Sequence, residues 1–95
     1  MKRPYEALFV LSTRLGEEGM TAAIDKIRAL VESSADPELM EQWGRKRLAY
    51  EINDQTEGYY ILMHFSSEPE FPKELERVLR ITDGVLRQLV IRRDA

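Results

Sequence analysis

Cysteine is absent from this chain of 95 residues, which excludes disulfides, thiolate metal sites and thiol nucleophiles together. That leaves the compartment open, although small secreted domains commonly carry such staples. Histidine occurs once, as His64. A multi-histidine metal site is therefore out of reach, and the pattern implies no serine or carboxylate partner that would make His64 a catalytic base. Long apolar runs are missing too. The longest, Ala7–Leu11 and Tyr59–Met63, are five residues each, against about 20 for a membrane-crossing helix. Lys2 and Arg3 lead straight into Tyr5–Leu11, without the pattern of a signal peptide. There is no surplus of positive charge. A net charge of −3 argues mildly against a nucleic-acid protein, so any such role must rest on local clusters. What remains is 43% hydrophobic and 33% charged, the make-up of one globular domain spanning 1–95. A domain of this size buries only about 60–65% of its unfolded surface, which leaves little room for a deep active site. No cofactor, metal, small-molecule substrate or membrane partner is expected.

Neither repeats nor low-complexity segments interrupt the chain. Its breaks are short: Ser33–Pro37, Asn53–Gly58 and Ser66–Pro69. Tyr5–Ser12 has the aromatic and β-branched make-up of a strand. Glu17–Glu32 reads as a helix, with Met20, Ile24, Ile27 and Val31 on one stripe and two acids in the first turn. Leu39–Ile52 is mixed. In its second half Leu48, Tyr50 and Ile52 alternate against Arg47, Ala49 and Glu51, a strand pattern, and Gly44 breaks the earlier alternation as a bulge would. Tyr59–Phe65 is a third strand, joined to the second through the turn at Asn53–Gly58. Glu70–Arg80 is a second helix, with Phe71, Leu75, Val78 and Leu79 together, and Val85–Arg92 a last strand. The order β-α-β-β-α-β predicts an α+β fold: two right-handed split crossovers giving one four-stranded antiparallel sheet with both helices on one face.

Two helices cover one face of such a sheet, yet the strands are apolar on both parities. Tyr5, Ala7, Phe9 and Leu11 oppose Leu8 and Val10, while Tyr59, Ile61, Met63 and Phe65 oppose Tyr60 and Leu62. One apolar set must face away from the helices, and an open face of that kind points to a partner. Trp43, Tyr50, Tyr59 and Tyr60 are the candidate partner-binding residues, with Trp43 as a packing or interface anchor. The basic residues cluster at Arg45-Lys46-Arg47, at Lys2 and Arg3, and through Arg77, Arg80, Arg87, Arg92 and Arg93. Clusters can neutralise phosphates despite a negative total. Lys2, Arg3, Arg45, Lys46, Arg47, Arg87 and Arg92 are the candidate nucleic-acid contacts, RNA or DNA, with Tyr5 able to stack on bases. Arg87, set in an otherwise apolar strand, calls for a fixed partner, either a phosphate or an internal carboxylate. The competing reading is solvated strand edges plus helical ion pairs such as Glu74–Arg77 and Glu76–Arg80.

The run Gln42-Trp43-Gly44-Arg45-Lys46-Arg47-Leu48-Ala49-Tyr50-Glu51-Ile52 resembles the second strand of the bacterial small-subunit ribosomal protein S-six family. The resemblance continues in Arg3-Pro4-Tyr5-Glu6, in Gly58-Tyr59-Tyr60, and from Leu75 to Asp83 into Val85-Leu86-Arg87. It spans nearly the whole chain in order. It implies a ferredoxin-like protein of the small (30S) subunit, located at the cytoplasmic ribosome. Such a protein binds the central domain of 16S rRNA with the S-eighteen protein as heterodimer partner and has no catalytic role. The chain departs from many relatives in ending at Ala95 without an acidic or mixed tail, and in placing Pro4 between Arg3 and Tyr5.

Two other functions fit the same element order. An acylphosphatase-like hydrolase needs a glycine-rich anion loop after the first strand, where this chain has Ser12–Glu18 with two acids that repel phosphate. A stand-alone RNA-recognition motif needs a third-strand octamer, which Glu57–His64 resembles only in part: an acid opens it and His64 closes it where an aromatic belongs.

Overall fold

The computed structural model describes residues 1–94. Strand β1 (Arg3–Leu11) is followed by a 3-10 turn (Thr13–Leu15) and helix α1 (Gly16–Ser34); β2 (Asp36–Ile52) and β3 (Gln55–Ser67) form a hairpin, and α2 (Phe71–Ile81) leads to β4 (Val85–Arg92). The sheet order is β2-β3-β1-β4, with every neighbouring pair antiparallel. This is the expected ferredoxin-like β-α-β-β-α-β arrangement.

Alternation along the strands decides the core. Tyr5, Ala7, Phe9 and Leu11 of β1 and Ile61, Met63 and Phe65 of β3 meet the stripes Met20–Val31 of α1 and Phe71–Leu79 of α2. Phe65 stacks on Tyr5 at 5.8 Å between ring centroids and meets Phe71 edge-on at 5.6 Å, geometries that add to simple area burial. The Ser12 hydroxyl accepts from the Arg14 N–H and donates to Gln55 Oε1 at 2.7 Å. It thereby starts the 3-10 turn and ties it to β3. Glu17 and Glu18 stand in the first turn of α1, and a proline sits at the start of α2, where its missing N–H costs nothing.

The hairpin is longer than the pattern predicts. β2 begins at Asp36, with Pro37 on the sheet edge, and the break expected at Asn53–Gly58 closes to a two-residue turn. Asn53 and Asp54 take φ of 51° and 62°, the left-handed pair of a tight hairpin turn. The bulge expected at Gly44 is present: the register shifts between Gln42 and Gly44, leaving Trp43 unpaired, and Gly44 has φ 83°.

Candidate nucleic-acid and partner interface

The register lays out the face away from the helices as rows across β2, β3, β1 and β4. Leu39, His64, Glu6 and Ile91 make one row; Glu41, Leu62, Leu8 and Leu89 the next; Gly44, Tyr60, Val10 and Arg87 the third. Leu39, Trp43, Leu89 and Ile91 are each 41–49% exposed, whereas Leu8, Leu62 and Tyr60 are half-buried. The result is an apolar trough along the middle of the sheet.

Both ends of the trough are closed by the chain itself. At one end Arg93, paired with Pro4, reaches back over β1 and β3. Its Nε donates to the Tyr5 carbonyl at 3.0 Å and its Nη2 to Glu38 Oε1 at 2.7 Å. The Ser66 hydroxyl donates to the other Glu38 oxygen. The Ser66 bond and the Arg93 guanidinium hold the Glu38 carboxyl below its usual range, as donors to a carboxylate must. At the other end the hairpin curls over the sheet. Leu48 and Val10 are buried against the position a Gly58 side chain would occupy, and Arg87 donates to the Tyr50 hydroxyl at 3.3 Å with its guanidinium over the ring. The partner Arg87 meets within the chain is thus a phenol and not the internal carboxylate that was one of the two expected. Inside the trough His64 Nε2 lies 2.9 Å from Glu6 Oε1, Trp43 Nε1 donates to Glu41 Oε1 at 3.0 Å, and Lys46 stands over the Trp43 ring at 4.9 Å.

The candidate residues are not all brought together. Trp43, Tyr60 and Tyr50 border the trough, but Tyr59 is on the helix side, packed against the core with its hydroxyl donating to Gln42. Tyr5 is corrected from RNA contact to core residue. It is 8% exposed with its ring against Phe65, so no face is left for a base. The basic residues fall at opposite ends of the sheet. Lys2, Arg3, Arg92 and Arg93 gather at the start of β1. There Lys2 pairs with Asp36, Arg92 with Asp94 and Arg93 with Glu38. The hydrogen bond that Lys2 donates to the Asp36 carboxylate raises the Lys2 pKa, and the one that Arg92 donates to Asp94 lowers the Asp94 carboxyl. Arg3 is the one cation of this group without an ion pair among the described residues. Arg45, Lys46 and Arg47 lie at the far end, exposed and without ion pairs among the described residues. Arg45 opposes Tyr59 and Arg47 opposes Glu57, so both take the helix-side parity, while Lys46 opposes Gly58 on the trough side. Arg77 forms the expected two-bond pair with Glu74; the Glu76–Arg80 pair does not form among the described residues.

Sequence reasoning passed over Glu6, Glu41, Leu39, Leu89 and Ile91. The signal for Glu6 was present: it shares parity with Leu8 and Val10, as His64 does with Leu62 and Tyr60, and antiparallel pairing of β1 with β3 sets the two side by side.

A family model described as Ribosomal protein S6 matches residues 4–92. The chain belongs to the ribosomal protein S-six family. Among its relatives, the small ribosomal subunit protein bS6 of Clostridium novyi is 50% identical over 90 residues, covering 94% of this chain and 95% of that protein. The bS6 of Caldanaerobacter subterraneus subsp. tengcongensis is 48% identical over 93 residues, covering 97% and 98%. The crystal structure of the 30S ribosomal protein S6 of Thermotoga maritima superposes with a TM-score of 0.92 at 26% identity, over 99% of this chain and 90% of that one. Family membership makes the protein a constituent of the small ribosomal subunit, with the ribosome as its place. No helix among the described residues is long and apolar enough to cross a membrane.

Proposed function

We propose that the protein is a non-catalytic assembly component of the small subunit, which binds the central domain of 16S rRNA together with the S-eighteen protein. The observation that carries this reading is the trough: a sheet face left uncovered by the helices, with four large apolar side chains 41–49% exposed on its two edge strands. It lies beside a run of three cations that no described carboxylate neutralises. The trough suits a polypeptide and the Arg45–Arg47 run suits phosphate. A single-stranded RNA platform is disfavoured by the Glu6 and Glu41 carboxylates, which stand where bases would stack and would repel the strand that carries them. An anion-binding enzyme loop is disfavoured by the 3-10 turn at Thr13–Leu15, which delivers the chain directly to Glu17 and Glu18.

The test is a pull-down combining the protein, the S-eighteen protein and a central-domain rRNA fragment. A ternary complex is expected, with rRNA held weakly by either protein alone. Absence of that complex at low micromolar concentration overturns the reading.

A further inference from the structure

The trough contains two carboxylates that its apolar neighbours do not explain. Glu6 stands in the middle of the face, between Ile91 on β4 and His64 on β3 and next to Leu8 along its own strand. Its Oε1 is taken by His64, and among the described residues nothing meets Oε2. Glu41 repeats the arrangement one row on, with Oε1 taken by Trp43 and Oε2 without a described partner. In water the free oxygens are solvated. A polypeptide laid over Leu8, Leu62, Leu89 and Ile91 would strip that water away, and a carboxylate buried with half its acceptor capacity unmet opposes binding strongly. The apolar surface and the acids are compatible with one occupant only if that occupant brings donors of its own.

We propose that the trough selects a partner segment that lays apolar side chains along the face and brings two separated cations, an arginine or lysine meeting Glu6 Oε2 on the inner strand β1 and a second meeting Glu41 on the edge strand β2. This rests on the reading of the trough as the S-eighteen docking face and adds the chemistry that specifies the partner. The two carboxylates sit two strands and one row apart, about 12 Å between Cα positions for ordinary sheet spacings. The partner's cations must therefore come from positions well separated on its surface. His64 and Trp43 act as positioning residues, each fixing one oxygen of its carboxylate so that the other faces outward. The pairing also supplies specificity, because a wholly apolar or an acidic segment would leave both acids buried and unmet.

The experiment is a calorimetric titration of the full chain with the S-eighteen protein, at low and at moderate salt. Glu6→Gln keeps the size of the side chain and its hydrogen bond to His64 and removes the charge. It should weaken binding at least tenfold at low salt and flatten the salt dependence, while circular dichroism stays unchanged. Glu41→Gln should weaken binding less, and Leu89→Ser should weaken it at every salt concentration. If Leu89→Ser weakens binding but Glu6→Gln binds like the parent, the docking reading stands and the paired-cation inference is wrong. If Leu89→Ser binds like the parent, the partner docks elsewhere and the inference falls. If the unaltered chain does not bind at all, the S-eighteen reading fails and takes the inference with it. If Glu6→Gln instead lets the free chain bind rRNA more tightly, the trough is a nucleic-acid surface and the inference is overturned.

Discussion

Single residues set the limits of the trough, and two glycines show how differently. Gly58 lies under the hairpin, and a β-carbon there would come 2.2 Å from Val10 Cγ1 and 3.3 Å from Leu48 Cδ2. The first is a branched side chain held at 2% exposure, with no freedom to retreat. Gly58→Ala should therefore destabilise the fold by about 1–3 kcal/mol through overpacking, seen as a lower urea midpoint; an unchanged midpoint would show that the hairpin does not press on the sheet. Gly44 has open space around it and only its φ of 83° to lose. Gly44→Ala should cost about 1 kcal/mol and leave the trough's closed end intact. The Arg93–Glu38 strap carries a pH signature. Glu38 titrates below its unfolded value because Ser66 and Arg93 favour its ionised form. A depressed carboxyl stabilises the fold above its unfolded pKa, and that contribution disappears as pH falls through the folded pKa. Glu38→Gln should thus lower the thermal midpoint at about pH 7 but leave it near the parent's at about pH 2. Equal losses at both pH values would assign the effect to packing instead. Asp94 and Glu74 are depressed in the same sense, so the parent's acid limb should become shallower in the variant without vanishing.

At the level of elements, the hairpin is where sequence pattern and structure differ most, and the reason is physical. Asn53–Gly58 looks like a six-residue loop because Gln55, Thr56 and Glu57 are polar. Thr56 and Glu57 are exposed and Gln55 half-buried, yet all three are in the ladder. Hydropathy detects a buried face, and this stretch lacks one. What fixes the turn is backbone conformation at Asn53 and Asp54, which pattern does not report. Asp54, held at φ 62°, pays the cost of a left-handed conformation that glycine avoids. Asp54→Gly should accordingly raise stability by up to about 1 kcal/mol, measured as a shift in denaturant midpoint with unchanged slope; a loss would mean the Asp54 side chain contributes something its exposed position does not show. The strand order, both helices and the Gly44 bulge were legible, since each leaves a periodic apolar trace or a break in one. The site was legible in its residue types and not in its grouping. Arg87 finding Tyr50, Arg93 finding Glu38 and Lys2 finding Asp36 join positions 34 to 55 residues apart in the chain. Only the sheet brings them together, and it also turns Tyr5 and Tyr59 inward.

Over the whole molecule, the bulge at Trp43 decides which basic side chains share a face with the trough. Downstream of it Arg45 and Arg47 take the helix side of the edge strand, with Arg45 lining a cavity of about 340 Å³ beside Glu17, Met20 and Tyr59. Lys46 alone among the three remains on the trough side, over Trp43. A polypeptide seated in the trough would thus leave both guanidiniums free for phosphate, and protein and nucleic acid need not compete for the same surface. The other basic end is a weaker candidate, because Lys2, Arg92 and Arg93 already meet carboxylates and exchanging those for phosphate gains little. The distinction shows in salt dependence, since each phosphate contact releases counterions and steepens the fall of log K with log salt. Replacing Arg45 and Arg47 together with alanine, in the presence of the S-eighteen protein, should weaken rRNA binding and reduce the slope by about 1–2. Replacing Lys2 and Arg92 together should change the slope by less than half as much. If the second pair flattens the slope and the first does not, the nucleic acid lies along the start of β1, and the carboxylates there must release their arginines and lysine when it binds.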